Sequence, residues 1–319
     1  MAGSIVKLQT TSLSPARAAV TPILGAMDDA SRLDPIAARL QWRRRARKHP
    51  PDFLRAAVDR GLLERLEPMR IEPETILVAS CGQSSALLTL AQRFDRAALL
   101  GAEDDEQALV RWRDCFEPRP SGWLARLRRS RPSRATRLLA ADPLALPLGP
   151  GSVDLVLSAL QLHACPQPAR QLAEWLRILR PGGLLSFACF GVDTLSELRG
   201  LGARMHPFPD MHDLGDAMMR AGFAEPVVDT ERLSVTWRDP ATLLSEVHRW
   251  GGNALADRFR GLLTPRHRHD WLKALETLRG PDGLIRMSVE LIFGHAWCPS
   301  SKPLADGLAP VRLVRRGDN

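Results

Sequence analysis

Residues 76–90 read ILVASCGQSSALLTL. An unbroken apolar run enters a tight turn of small residues, and an amphipathic helical spacing follows. A strand, a small-residue turn and a helix in that order are the opening unit of a parallel α/β sheet. The turn sits where a glycine loop of the G-x-G-x-x-G type belongs. Yet only Gly82 stands at an expected glycine. The fold signal is therefore strong, and the chemistry of the loop is open.

The same rhythm extends on both sides. TILVAS (75–80) predicts a strand and SALLTLAQRF (85–94) a helix. AALLGAEDD (97–105) predicts a strand ending in acids, and DLVLSAL (154–160) a strand after the turn PLGPGS. PARQLAEWLRILRPGG (168–183) predicts a helix closed by Pro-Gly-Gly, and LLSFACFG (184–191) a strand. Strands alternating with helices imply a mostly parallel sheet covered on both faces. Beyond Gly191 come a helix pair, the strand-like PVVDTERLSVTW, a helical block from 240 to 278, and a last strand, SVELIFGHAW (288–297).

The organisation expected is a loose tail over 1–30, a helical lid over 31–72, one domain over 73–298 with a helical insertion at about 240–280, and a disordered tail over 299–319. Within the lid, Leu33, Ile36, Ala37 and Leu40 share a helical face, as do Phe53, Ala57, Leu62 and Leu66. QWRRRARK (41–48) places a basic cluster on a helix, either a solvated face or an electrostatic docking surface. Residues 106–137 form a long arginine-rich connection that carries Trp112 and Trp123. Basic residues interleaved with aromatics can bind single-stranded nucleic acid. No RNA-binding motif accompanies them, so a surface helix and loop is favoured over nucleic acid.

The net charge of +8 favours acidic partners: nucleic acid, anionic lipid or an acidic carrier protein. An arginine-rich composition from a high-GC genome explains it equally well. The five cysteines are scattered without a C-x-x-C pair, which points to a reducing, cytoplasmic compartment and no zinc site. No apolar run approaches the roughly 18 residues of a membrane-crossing helix, and the start of the chain lacks the pattern of a secretory signal.

In an open parallel sheet, ligands bind beyond the carboxyl ends of the strands. The first strand then delivers Ser80, Cys81, Gly82, Gln83 and Ser84, and the second delivers Glu103, an acid able to accept both hydroxyls of a ribose. The third delivers Asp142 and Pro143, with Asp142 placed to accept from an adenine amino group. The fourth delivers Ser158 to Leu160.

This order resembles the class I S-adenosylmethionine-dependent methyltransferases. The second half is more specific. FGVDTLSELRG (190–200), HPFPDMHDLGDAMMRAGFAEPVVD (206–229) and IFGHAWCP (292–299) resemble the boxes of malonyl-acyl-carrier-protein O-methyltransferases of biotin synthesis. The resemblance covers about residues 30–298. It implies a Rossmann-like class I methyltransferase sheet with helices on both faces and an added helical lid, its first strand central and its last antiparallel beside the fifth. It implies S-adenosylmethionine as cofactor, an acidic acyl carrier protein as partner, and a malonyl carboxylate as methyl acceptor. The cofactor would be held by Ser80, Gly82, Ser84, Glu103, Asp142, Pro143 and Ser158. Arg199, a guanidinium fork that matches a carboxylate, Thr194 and His212 are the substrate residues implied. Arg199 could instead form a structural salt bridge, and His212 could simply pin the turn before a helix capped by Asp213. No metal is implied.

The chain departs from that family in its loop. Where the family has D-x-G-C-G-x-G, the matching residues are Val78, Ser80, Gly82 and Ser84. The acid that orders the loop is Val78, and serines add a Cβ where the backbone approaches the ligand. The chain has no tyrosine; the family's two usual ones fall on Asp34 and Phe293. The adenosine half of the site is therefore expected to be usable, while cofactor binding as a whole is weakened or lost. Two functions remain open. One is a methyltransferase acting on a malonyl-carrier-type carboxylate. The other is a degenerate methyltransferase-fold protein that serves as a binding or assembly factor.

Overall fold

The computed structural model describes residues 33–48, 52–81, 86–110, 136–205, 207–250, 253–261 and 264–300. Gly82 and Ser84, the basic segment with Trp112 and Trp123, and most of both terminal stretches lie outside the described residues.

Seven strands form one sheet: β1 (Thr75–Ala79), β2 (Ala98–Glu103), β3 (Arg137–Ala140), β4 (Val153–Ala159), β5 (Leu179–Phe190), β6 (Ala224–Trp237) and β7 (Ile285–Trp297). Their order is β3-β2-β1-β4-β5-β7-β6. The pairs from β3 to β5 are parallel, and β7 runs antiparallel to both β5 and β6. The expected class I sheet is thus borne out, with β1 inside it and the last strand beside the fifth.

Successive side chains of a strand point to opposite faces, and β1 uses both. Ile76 and Val78 join one apolar cluster, with Leu54, Val58, Leu62 and Leu66 of helix α2 (Asp52–Leu66) and Leu90 of α3 (Ala86–Arg93). Leu77 and Ala79 join the other, with Leu172, Trp175 and Ile178 of α4 (Pro168–Ile178). Every residue of β4 is buried. A leucine-sized side chain so buried contributes about 1.5–3 kcal/mol relative to exposure, so the two layers outweigh any local preference at the strand ends.

The helices expected as one lid behave differently. Helix α1 (Pro35–Lys48) lies over the end of β2, where Arg39 makes two 2.7 Å bonds to Asp104. Helix α2 instead covers the sheet: Gly61 meets Phe293 of β7, where an added Cβ would sit 2.4 Å from the ring, and the Arg65 guanidinium stacks 3.8 Å from the same ring's centre. Its amphipathic face is consumed by the core, so it cannot serve as part of a lid. After the short α5 (Ser196–Gly200), α6 (Met211–Ala221) joins the α4 layer. Helices α7 (Pro240–Arg249) and α8 (Pro265–Glu276) make up the helical block read from the sequence over 240–278. Pro-Gly-Gly after α4 lies within β5, not at a helix end, and Gly182 takes a φ of +79° there.

Candidate functional site

The strand ends deliver the acids in the expected order. Ala141 donates its backbone N–H to the Glu103 carbonyl at 3.0 Å, and this fixes the β3 loop beside β2. Asp142 then bends that loop by accepting from the Leu144 amide at 2.9 Å. Asp104, Asp142, Pro143 and Gln161 border an open cavity of about 330 Å3, together with Arg39 and Trp42 of α1.

Glu103 does not share that cavity. Its side chain is buried, and its Oε1 accepts the indole N–H of Trp42 at 2.6 Å and the Asp104 amide at 3.2 Å. The space left against Glu103, Ser80 and Trp42 is only about 10 Å3. Glu103 and Asp142, expected to hold one cofactor together, line separate spaces here, and Trp42 borders both. Trp42, Asp104 and Gln161 are the residues the sequence reading missed. The acidic pair after β2 was a signal for Asp104, whereas the tryptophan comes from a distant helix.

The loop after β1 holds the tension that its sequence announces. Ser80 adopts φ +59°, the left-handed region that costs a non-glycine residue about 1–2 kcal/mol. Its hydroxyl is buried and has no hydrogen-bond partner among the described residues. Trp175 is among the residues around the same small space and Gln171 among those around the larger one, and the buried Trp175 Nε1 and Gln171 Oε1 are likewise without a partner among the described residues. Such atoms are rare in folded proteins and mark places where a further group belongs. Val78, at the position of the family's acid, is fully buried in the apolar cluster and offers no acceptor. Ser158 is also buried and turned inward, with its hydroxyl 3.3 Å from Gln161 Oε1. It borders none of these spaces. It instead sets Gln161, which does.

A second, larger cavity of about 660 Å3 adjoins the first, and Ala38, Trp42 and Ala164 line both. Its wall is mostly apolar and aromatic. His163, Phe190 and Phe208 pack with ring centres 4.6–5.6 Å apart, and Trp250 lies 5.9 Å from Phe190. The Phe190 amide donates to His163 Nδ1 at 3.3 Å, so the proton of the neutral ring resides on Nε2. Cys165 borders the smaller cavity, but burial pushes its thiol up to about 12, which removes it as a nucleophile near neutrality.

The expected substrate residues lie elsewhere. Thr194 is fully buried; its hydroxyl donates to the Glu290 carbonyl at 3.0 Å and accepts the Glu290 amide at 3.1 Å. Arg199 donates to the Thr194 carbonyl at 2.9 Å and to that of Val192. Its fork therefore ties down the turn after β5 and forms no bridge to Glu197, which accepts from Ser288 instead. Gly191 permits this packing, because a Cβ there would lie 2.3 Å from Glu290 Oε2. His212 is exposed, and its backbone N–H is bonded by Asp210 at 2.8 Å. Asp210, not Asp213, caps the helix. Burial, with the neighbouring Asp210 charge, raises the Asp213 carboxyl. Thr194, Arg199 and His212 thus border neither cavity.

Comparison with known proteins places this geometry. Residues 77–187 match the methyltransferase domain family. The YcgJ protein of Bacillus subtilis superposes with a TM-score of 0.53 at 12% identity, over 76% of this chain and 99% of that one, which speaks to the fold. A malonyl-[acyl-carrier protein] O-methyltransferase of Halorhodospira halophila is 37% identical over 273 residues, 82% of this chain and 87% of the relative. One from Laribacter hongkongensis is 38% identical over 249 residues, 75% of this chain and 80% of the relative. With its sheet order, its strand-end acids and this extent of identity, the chain belongs to the malonyl-[acyl-carrier protein] O-methyltransferase family.

Proposed function

We propose that this protein methylates a carboxylate of a malonyl group carried by an acyl carrier protein, with S-adenosylmethionine as donor, in the cytoplasmic synthesis of biotin. The observation that carries this reading is the meeting of the two cavities at Ala38, Trp42 and Ala164. One is edged by the acids Asp104 and Asp142 and by the amides of Gln161 and Gln171, polar groups of the kind a nucleoside requires. The other is roomy and apolar, as an acyl thioester requires.

The residues present fit the adenosine half of the cofactor. Glu103 is the ribose acceptor, and Asp142 and Pro143 flank the adenine space. The unpartnered Ser80 hydroxyl is a donor toward the methionine half, with Gly82 and Ser84 continuing that loop. Val78 supplies nothing there, which makes for a looser hold. When bound, the cofactor would supply a sulfonium methyl for transfer to a carboxylate oxygen, with neutral thioether as the leaving group. No proton moves, because a carboxylate is already ionised at neutral pH. The protein's task is therefore positioning and exclusion of water. Ala164 and Trp42 hold the two chambers in register, and the aromatic wall of His163, Phe190, Phe208 and Trp250 keeps the acceptor side dry.

The net charge of +8 suits an acidic carrier protein. Transfer of labelled methyl from S-adenosylmethionine to malonyl-carrier protein tests the reading, with carrier protein lacking the malonyl group as control. Ester formation that depends on the malonyl group supports it. Its absence, together with failure to rescue a biotin-requiring strain that lacks its own such enzyme, would favour the binding or assembly role.

A further inference from the structure

Trp42 is the residue that borders all three spaces at the strand ends: the sliver against Glu103, the cofactor-side cavity and the acceptor cavity. Its indole N–H is bonded at 2.6 Å to the carboxylate on which a ribose diol would depend. Oε1 of that carboxylate already accepts two N–H groups, one from Trp42 and one from Asp104. The free space beside it, about 10 Å3, is about what one water needs. The indole thus occupies the approach to Glu103 Oε1.

We propose that Trp42 is a latch shared by the two cavities: it holds the Glu103 carboxylate on which the cofactor's ribose depends, and its displacement when the cofactor enters reshapes the wall of the acceptor cavity. This rests on the reading that S-adenosylmethionine binds at the β1–β2 edge.

The surroundings favour an exchange at one side chain over departure of the whole helix. Arg39 and Arg43 both reach Asp104, whose carboxylate is nearly buried. Asp34, one residue before the helix, is held by Arg258 at 2.9 Å, and its amide donates to the Ala254 carbonyl at 2.9 Å. Ala37 and Ala38 pack on Ala254. Helix α1 is thereby fastened at its start and along one face, and Trp42 lies between these fastenings and the site. A rotation of the indole exchanges one donor on Glu103 for another and leaves the helix in place. Because the same ring lines the acceptor cavity, occupancy of one chamber is read in the other. Two ligands that bias one two-state element are coupled reciprocally.

The test uses the full chain and S-adenosylhomocysteine, which occupies the cofactor site without reacting. Trp42→Phe keeps an apolar ring and removes the competing N–H. The expected result by calorimetry is cofactor-product binding about tenfold tighter than wild type, as befits loss of a competing hydrogen bond to a charged group. The second measurement is the affinity for malonyl-carrier protein with and without S-adenosylhomocysteine. In the wild type it should change at least about fivefold, and in Trp42→Phe it should be the same in both conditions. A ring with a merely structural role would not move that difference. Equal or weaker product binding by Trp42→Phe, with its thermal stability intact, overturns the latch and leaves the cofactor reading standing. Should Trp42→Phe unfold, acceptor affinity in the wild type that ignores S-adenosylhomocysteine overturns the latch by itself. Absence of binding by both proteins overturns the cofactor reading, and the latch with it.

Discussion

The β5–β7 corner and the β1–β2 edge carry equally suggestive sequence boxes, yet they are built in opposite ways. At the corner, Thr194, Glu197, Arg199 and Glu290 all find partners within the protein. At the edge, Ser80 is held in a left-handed conformation, and its hydroxyl, Trp175 Nε1 and Gln171 Oε1 have no partner among the described residues. A satisfied network needs nothing further and acts as scaffold. Unsatisfied polar atoms beside a cavity are where a ligand contributes free energy. The difference sorts motif residues better than their rarity does: the D-M-H-D and D-T-L-S-E-L-R boxes hold a helix cap and a turn, and the unpartnered polar atoms lie at the strand-end edge.

Substitutions that separate cofactor affinity from stability can break this contrast. The largest effect expected is on the edge. Glu103→Ala removes a charged acceptor worth about 1.5–3 kcal/mol, so cofactor affinity measured by calorimetry should fall by about ten- to a hundredfold. Unchanged affinity would remove Glu103 from the site. At the corner, Thr194→Val leaves the buried Glu290 amide and carbonyl without their partner. It should lower unfolding free energy by about 1–3 kcal/mol while cofactor affinity stays within twofold. A loss of affinity for malonyl-carrier protein without loss of stability would return Thr194 to the substrate role.

Ser80→Gly is expected to act in the opposite direction. It relieves the positive φ and deletes the orphaned hydroxyl, and should stabilise the protein by about 1 kcal/mol in a denaturant titration. Loss of stability would show that the serine is held by contacts not accounted for. The smallest effect concerns His295 on β7. Burial lowers its pKa, with the nearby Arg65 charge adding to this and Asp229 opposing it. The unfolded chain therefore binds the proton more readily, so this contribution is present above the ordinary histidine value and is lost as pH falls below it. His295→Gln should flatten the stability profile between neutrality and pH about 5; an unchanged slope would assign that dependence elsewhere.

The sheet was legible because its signal is local. Ile76 to Ala79 and the run from Val153 to Ala159 announce strands buried on both faces, whereas the placing of the first strand inside the sheet and of the last beside the fifth rested on the family resemblance. Glu103 and Asp142 were legible because strand ends carry ligands in this architecture. The contact of Trp42 with Glu103 was not, since it joins a helix to a strand end far along the chain, and nothing in QWRRRARK marks its one tryptophan as turned inward. Arg199 misled for a related reason: a guanidinium suits carboxylates and backbone carbonyls alike, and only the fold of the turn at Val192 and Thr194 decides between them. The helix cap slipped by three residues, to Asp210, because two aspartates in one box both satisfy the cap pattern.

The loop decides whether the edge still works, and its repair is narrower than the sequence suggests. Val78 lies within the apolar cluster of Ile76 and Leu155, so restoring an acid there would bury a charge at considerable cost. The direct measurement is a calorimetric titration of the wild type and of Ser80→Gly with S-adenosylmethionine, followed by methyl transfer to malonyl-carrier protein. The account predicts binding by both, looser in Ser80→Gly, which lacks the hydroxyl donor, and ester formation by the wild type. Binding by neither, in proteins whose unfolding transitions remain cooperative, would contradict it.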